Sequence, residues 1–281
     1  MAAPTGQDPK GRLGDFSGTL VLVGAGRMGG AMLEGWIALG IDLEKIVVLE
    51  PNPSRELIKL AARGLRLNPG ERPAEASAIV IAVKPQVADE VVPGLAPRIA
   101  PSSVVISIMA GRTLHGLEHA LPRAALIRAM PNLPAAIGRG ITVAVANARV
   151  SSRQRDLADR LLGTTGAVEW VADESLLDAV TAVSGSGPAY VFLLAETLAE
   201  AGAAAGLPPE FAARLARATV CGAGALLEAS AVDAAALREN VASPGGTTAA
   251  ALEVLLGEQG LRPLLERAVA AATRRSRELA T

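Results

Sequence analysis

Between Thr19 and Val145 the chain alternates short, often β-branched apolar runs with amphipathic stretches. The runs are Leu20–Val23, Ile46–Leu49, Leu65–Leu67, Ile79–Val83, Val104–Ser107, Leu126–Arg128 and Ile141–Val145, with one more near Val168–Val171. Several are continuous rather than alternating, as in strands of a parallel sheet covered on both faces. Helical segments such as Met28–Leu39 and Ser54–Ala62 lie between them. Strand, helix and strand in repetition predict a doubly wound α/β sheet.

After Asp173 the pattern changes to long Ala/Leu stretches at 173–184, 188–205, 208–231, 247–257 and 261–279. Asp173, Pro208 and Asp233 stand where helices should begin, as acidic caps or a first-turn proline. Between Ala189 and Leu207 only Glu196 and Glu200 interrupt an apolar run. A helix apolar nearly all round must be covered on every side, and one small domain has too little interior to cover several. A second copy of the chain is the expected cover, giving an intertwined helical dimer. The expected organisation is a mobile leader over 1–18, an α/β domain over 19–172 and an all-α domain over 173–281.

The length of 281 residues fits two domains. Charge is balanced, with 27 basic and 28 acidic residues, and only three Phe, two Trp and one Tyr are present. Neither a basic footprint nor base-stacking side chains are available, so no nucleic-acid partner is expected. Cys221 is the only cysteine, which excludes an intrachain disulfide and a cysteine-built zinc site. The polar N-terminus does not resemble a signal peptide, and no run of about 18 uncharged apolar residues occurs. A cytoplasmic protein without a membrane span is expected. The lysines are Lys10, Lys45, Lys59 and Lys84, so the second half of the chain cannot supply one.

Gly24-Ala25-Gly26-Arg27-Met28-Gly29 fits G-x-G-x-x-G, directly after a strand and at the mouth of a helix. The first glycine makes the tight turn, the second admits a pyrophosphate and the third lets helix and strand pack. The helix N-terminus favours the phosphate charge. A dinucleotide site is therefore predicted, with Gly24, Gly26, Arg27, Met28 and Gly29 around the phosphates. Glu50, about 20 residues further on, suits ribose hydroxyls and NAD(H). Asn52, Ser54 and Arg55 beside it suit a 2′-phosphate instead. Ala82-Val83-Lys84-Pro85 and Met130-Pro131-Asn132 follow later strands at the ligand-binding edge, where Lys84 would line the coenzyme channel and Asn132 could donate an amide N–H. Ser243-Pro244-Gly245-Gly246-Thr247-Thr248 opens a helix and offers uncovered amides, two hydroxyls and a favourable dipole to an anion.

Together Gly24–Ala31, Ala82–Gln86, Arg128–Pro134, Val183–Tyr190 and Val241–Glu253 resemble the pyrroline-5-carboxylate reductases, over about Thr19 to Leu279. The resemblance implies an N-terminal doubly wound Rossmann domain and an all-α C-terminal dimerisation domain. The implied reaction is NAD(P)H-dependent reduction of 1-pyrroline-5-carboxylate to L-proline, the last step of proline biosynthesis. NADPH is the implied coenzyme, with NADH also usable. The implied assembly is a homodimer whose active sites lie between one subunit's nucleotide domain and its partner's helices. Dimers in the family often build rings such as decamers. Carried over by position, Ser243, Gly245 and the amides of Gly246, Thr247 and Thr248 would hold the substrate carboxylate. Thr248 matches the threonine whose hydroxyl faces the ring nitrogen, Asn52 falls where the adenosine phosphate is met, and Val183–Tyr190 would line the substrate cavity. Leu133 stands where a threonine is common.

Two alternatives share this architecture. A hydroxyacid dehydrogenase would need a lysine in the second domain, where this chain has none. A non-catalytic NADP-sensing dimer would not need the 243–248 loop. His115 and His119, four apart with Glu118 between, do not form H-E-x-x-H and are read as an exposed helix face, so no metal is expected. Cys221 is read as a small core residue, and Arg274-Arg275-Ser276-Arg277 as a solvated helix end.

Overall fold

The computed structural model describes residues 13–70 and 75–280. Its sheet has eight strands: β1 Thr19–Val23, β2 Ile46–Leu49, β3 Arg66–Leu67, β4 Ala76–Ile81, β5 Ile99–Ser107, β6 Ala125–Met130, β7 Gly140–Ala146 and β8 Gly166–Trp170. The order is β3-β2-β1-β4-β5-β6-β7-β8. All pairs are parallel except β6–β7, which run antiparallel with Arg128 opposite Val145. The chain turns back there because 131–139 holds only a short 3-10 turn, Leu133–Ile137, and a parallel return needs a longer crossover.

Helices α1 Arg27–Ala38, α2 Arg55–Ala61, α3 Ala88–Val91, α4 Leu114–Ala120 and α5 Ser152–Leu162 connect the strands. Each face of the sheet carries its own core. Leu20, Leu22, Met32, Trp36, Val48, Ile106 and Leu161 pack on one side, and Val21, Val23, Ile79, Ile81, Leu114 and Leu117 on the other. Trp36 is wholly buried, and its Nε1–H donates to the Leu161 carbonyl at 2.9 Å. Residues 13–18 belong to the fold rather than to a mobile leader. Leu13 and Phe16 are buried in the first core, and Leu13 N–H bonds Leu39 O at 2.9 Å at the end of α1. Residues 1–12 lie outside the described residues.

The rest is helical: α6 Leu176–Val180, α7 Gly187–Ala204, α8 Pro209–Ala229, α9 Ala234–Val241, α10 Thr247–Leu255 and α11 Leu261–Glu278. Two compact units emerge among the described residues, one running to Gly185 and including the chain from Arg274 onward, the other Ser186–Thr273. In the second unit α7 and α8 form a hairpin, closed by Gly206 at φ +104° and the Leu207 N–H bond to Gly202 O at 3.1 Å. No residue of α7 is buried, and Phe192 is 60% exposed. Cys221 is exposed on α8 rather than set in a core, since that unit encloses so little of its own apolar surface. The helical stretch Leu176–Ala204 is long and apolar enough to cross a membrane by length and composition, which counting uncharged runs did not reveal. Arg274, Arg275 and Arg277 at the end of α11 are exposed as expected, but Ser276 among them anchors the helix. Ser276 is buried, its hydroxyl donates to Asp178 Oδ1 at 2.7 Å, and Arg277 lies 3.8 Å from the same carboxylate.

Candidate active site

Ligands of an open α/β sheet gather past the carboxyl ends of its strands, where the order reverses. Here the reversal lies at β1, flanked by β2 and β4. Leu49 and Ile81 both register with Val23, so the loops after β1, β2 and β4 leave the sheet side by side. Gly24 N–H donates to Leu49 O at 2.9 Å and Ala82 N–H to Val23 O at 2.7 Å, fixing their starts.

The three glycines of the first loop carry different constraints. Gly24 sits at φ +87°, and a Cβ there would lie 2.9 Å from Ala82 O. A Cβ on Gly29 would collide with the Gly24 carbonyl, so this glycine lets α1 close on the strand. Gly26 has an ordinary φ of −66°, and its Cβ would meet nothing within 4 Å. Nothing in the protein therefore requires glycine at 26, while an anion lying against its backbone would. Gly26 also caps α1 without a side-chain hydrogen bond, leaving the first-turn amides toward the opening. An uncovered backbone cradle at a helix N-terminus fits a dinucleotide pyrophosphate.

At the end of β2, Glu50 faces this loop. Ala25 N–H donates to its Oε2 and Asn52 N–H to its Oε1, both at 2.9 Å. Asn68, at φ +44°, braces the Glu50 main chain. Its Nδ2–H donates to Glu50 O at 2.7 Å, and Glu50 N–H donates to Asn68 Oδ1 at 2.9 Å. Asn52 itself is exposed, and the Ser54 hydroxyl accepts from Leu57 N–H as the cap of α2.

Lys84 is exposed and opens the turn Pro85–Val87. Arg112 holds that turn from behind. Its Nη2–H donates to Pro85 O at 2.8 Å, while Nη1 and Nη2 grip the two Asp89 oxygens at 2.7 and 3.0 Å. Beyond β6, Asn132 Oδ1 accepts from Ile141 N–H at 3.0 Å, which turns the amide nitrogen to the outside of the bond. Buried Arg128 pairs with Glu174 at 2.7 Å, and the same carboxylate oxygen accepts Leu114 N–H at 2.8 Å. Glu174 thus ties β6 and α4 to the segment leading into the single π turn Thr181–Gly185. Asp173 caps that segment rather than opening α6. The Ser175 hydroxyl and N–H both bond its carboxylate and hold its pKa below the ordinary value.

In the helical unit, Gly245 at φ +70° turns the chain into α10, and Gly246 caps the helix without a side-chain bond. The Gly246 amide does not point to a ligand. It donates to Ser243 O at 3.0 Å, because the 243–246 turn closes on itself. The open donors are those of Thr247, Thr248 and Ala249, which precede the first intrahelical bond, from Ala250 N–H to Gly246 O. Ser243 and Thr247 are exposed and Thr248 half-buried.

Sequence reasoning missed Asn68, Arg112 and Glu174. Asn68 carries a faint signal, an asparagine before Pro69-Gly70 in a turn. The other two act through pairings across the fold, which leave no local pattern. His115 and His119 are exposed, and Glu118 between them is taken by Asn147 at 2.9 Å and Arg149 at 3.0 Å.

Comparisons with known proteins agree over nearly the whole chain. Residues 174–279 match the family described as pyrroline-5-carboxylate reductase dimerisation, and 19–111 match one described as NADP oxidoreductase, coenzyme F420-dependent. The chain is 40% identical over 266 residues to a pyrroline-5-carboxylate reductase of Pseudomonas aeruginosa, covering 93% of this chain and 96% of that one. Among solved structures it is similar to a pyrroline-5-carboxylate reductase of Coxiella burnetii, with TM-score 0.86 and 33% identity over 94% of this chain and 99% of that one. A Plasmodium falciparum pyrroline carboxylate reductase with NADP bound gives TM-score 0.78 and 28% identity, covering 94% and 98%.

Proposed function

The chain belongs to the pyrroline-5-carboxylate reductase family, and from that premise we infer which of its residues carry the reaction. The protein is an oxidoreductase of proline biosynthesis that uses NAD(P)H to reduce 1-pyrroline-5-carboxylate to L-proline. The observation that carries this is similarity to such enzymes across more than nine-tenths of the chain.

The first-turn amides of α1 and the backbone at Gly24, Gly26, Arg27, Met28 and Gly29 hold the pyrophosphate. Asn52 would meet the adenosine end of a bound coenzyme, while Ala82, Val83, Lys84, Pro85 and Asn132 would line its nicotinamide end. When bound, the coenzyme supplies a hydride to the C=N carbon of the substrate. The chain contributes orientation and exclusion of water, because a cyclic imine is already an electrophile and becomes a stronger one when protonated. Ser243, Gly245 and the amides of Thr247 and Thr248 hold the substrate carboxylate, with Gly246 shaping the turn. The dipole of α10 favours that negative charge. Thr248 offers its hydroxyl to the ring nitrogen, directly or through water, where the new N–H bond must form.

The protein works as a homodimer built through its helical unit, and such dimers assemble further into a ring such as a decamer. Exposed Phe192, Leu193 and Leu226 support the homodimer, since faces of that kind mark an interface. The same face accounts for the apolar length of 176–204 without a membrane, and the proposed location is the cytoplasm. No nucleic acid takes part.

Mixing the purified protein with NADH or NADPH and 1-pyrroline-5-carboxylate tests the assignment. Loss of reduced-nicotinamide absorbance with matching formation of proline is expected. Coenzyme binding without turnover would make the chain a sensor, and turnover of hydroxyacids instead would make it a dehydrogenase.

A further inference from the structure

We propose that Glu50 selects against a 2′-phosphate, so that this protein binds NADH in preference to NADPH. The inference rests on the dinucleotide site proposed above and adds its selectivity. An ionised carboxylate only accepts hydrogen bonds. It therefore rewards a ligand that donates, such as the hydroxyls of a ribose, and repels one that brings further negative charge. A phosphate monoester adds about −1.5 to −2 charges at neutral pH.

Three features of the fold make this more than the presence of an acidic residue. First, the carboxylate cannot swing aside. Each oxygen is held by a backbone N–H at 2.9 Å, from Ala25 in the glycine loop and from Asn52 in the following turn. The Glu50 main chain is clamped on both its N–H and its carbonyl by the Asn68 amide. Second, the amides that would otherwise greet a phosphate are consumed. The N–H groups of Ala25 and Asn52 already serve Glu50, so the turn offers an acceptor where a phosphate needs donors. Each carboxylate oxygen keeps a further lone pair for a hydroxyl. Third, none of the ion pairs among the described residues involves Glu50. The nearby arginines in the sequence, Arg27 and Arg55, are exposed rather than fixed against it.

The Coulomb cost of one fixed charge against a second, a few ångströms away and near solvent, corresponds to about a 10- to 100-fold difference in affinity. The test is calorimetric titration of the whole protein with NADH and, separately, NADPH, with no substrate present. NADH is expected to bind at least about tenfold more tightly. ADP is expected to show the same advantage over 2′,5′-ADP, which locates the discrimination at the adenosine end.

Glu50→Gln and Glu50→Ser, with folding checked by circular dichroism, are expected to erase or invert the ratio of the two affinities. Asn68→Gly keeps the positive φ accessible and the charge in place but frees the Glu50 main chain, so it is expected to weaken both coenzymes and to narrow the ratio by clearly less than Glu50→Gln does. Equal or tighter binding of NADPH by the wild-type protein overturns the inference, and so does a ratio that survives both Glu50 substitutions. A ratio that moves as far in Asn68→Gly as in Glu50→Gln overturns the charge explanation as well. Binding of neither coenzyme would instead remove the dinucleotide site, a different failure.

Discussion

Gly26→Ala and Gly24→Ala separate what the glycine loop does for the fold from what it does for the coenzyme. At Gly24 an alanine must adopt φ +87°, a left-handed geometry that costs about 1–2 kcal/mol for a residue with a Cβ. Its Cβ must also displace Ala82 O and Val83 Cγ1, both 2.9 Å away, and forced overpacking adds about 1–3 kcal/mol. A total loss of about 2–5 kcal/mol is expected, a fall of roughly 4–20 °C in unfolding temperature for a domain of this size. At Gly26 neither term applies, because φ is −66° and no atom lies within 4 Å of the new methyl. Only the poorer helix cap remains, worth about 1 kcal/mol or less. Yet that methyl would project into the space reserved for the pyrophosphate. Gly26→Ala should therefore keep its unfolding temperature within a few degrees of wild type and lose at least about tenfold in coenzyme affinity. Thermal denaturation and calorimetric titration of the two variants make the comparison. A Gly26→Ala protein that binds NADH and NADPH as wild type would show that the pyrophosphate does not lie against this backbone.

Thr248→Ala should lower kcat and raise KM for the imine without shifting the unfolding temperature, and near-wild-type kinetics would remove this hydroxyl from the reaction. Arg112→Met should free the Pro85–Val87 turn. Because Asp89 is largely exposed, the loss is about 1 kcal/mol, seen as a KM for coenzyme about fivefold higher with kcat nearly unchanged. A change confined to kcat would contradict a positioning role. Phe192→Glu should break the dimer, read as halved mass in light scattering, and an unchanged mass would place the interface elsewhere.

Much of the fold is legible in the chain because burial acts locally. A strand covered on both faces has to be apolar at every position, so β1, with all five residues buried, stands out unaided. The glycine loop is legible for a similar reason, since φ +87° at Gly24 and the tight contact at Gly29 both penalise any Cβ. At 243–248 the helix entry could be read from residue types, but not which amides it leaves open. That depends on the Ser243 carbonyl taking the Gly246 N–H, a matter of turn geometry.

Residue pattern alone thus determined the α/β unit, its eight strands, the change to helices after Asp173 and the placement of the glycine and Ser-Pro-Gly-Gly-Thr-Thr loops. It also showed that the helical segment is too apolar to stand by itself, since composition sets how much surface must leave water. Only the tertiary structure decided how residues far apart in sequence pair. It turned β7 antiparallel, packed Leu13 and Phe16 into the core, joined Ser276 to Asp178, held the 84–89 segment with Arg112 and set Glu50 onto the amides of Ala25 and Asn52. A hydrogen bond depends on an ångström of position and a direction in space, and residue order carries neither until the sheet has brought the strand ends together.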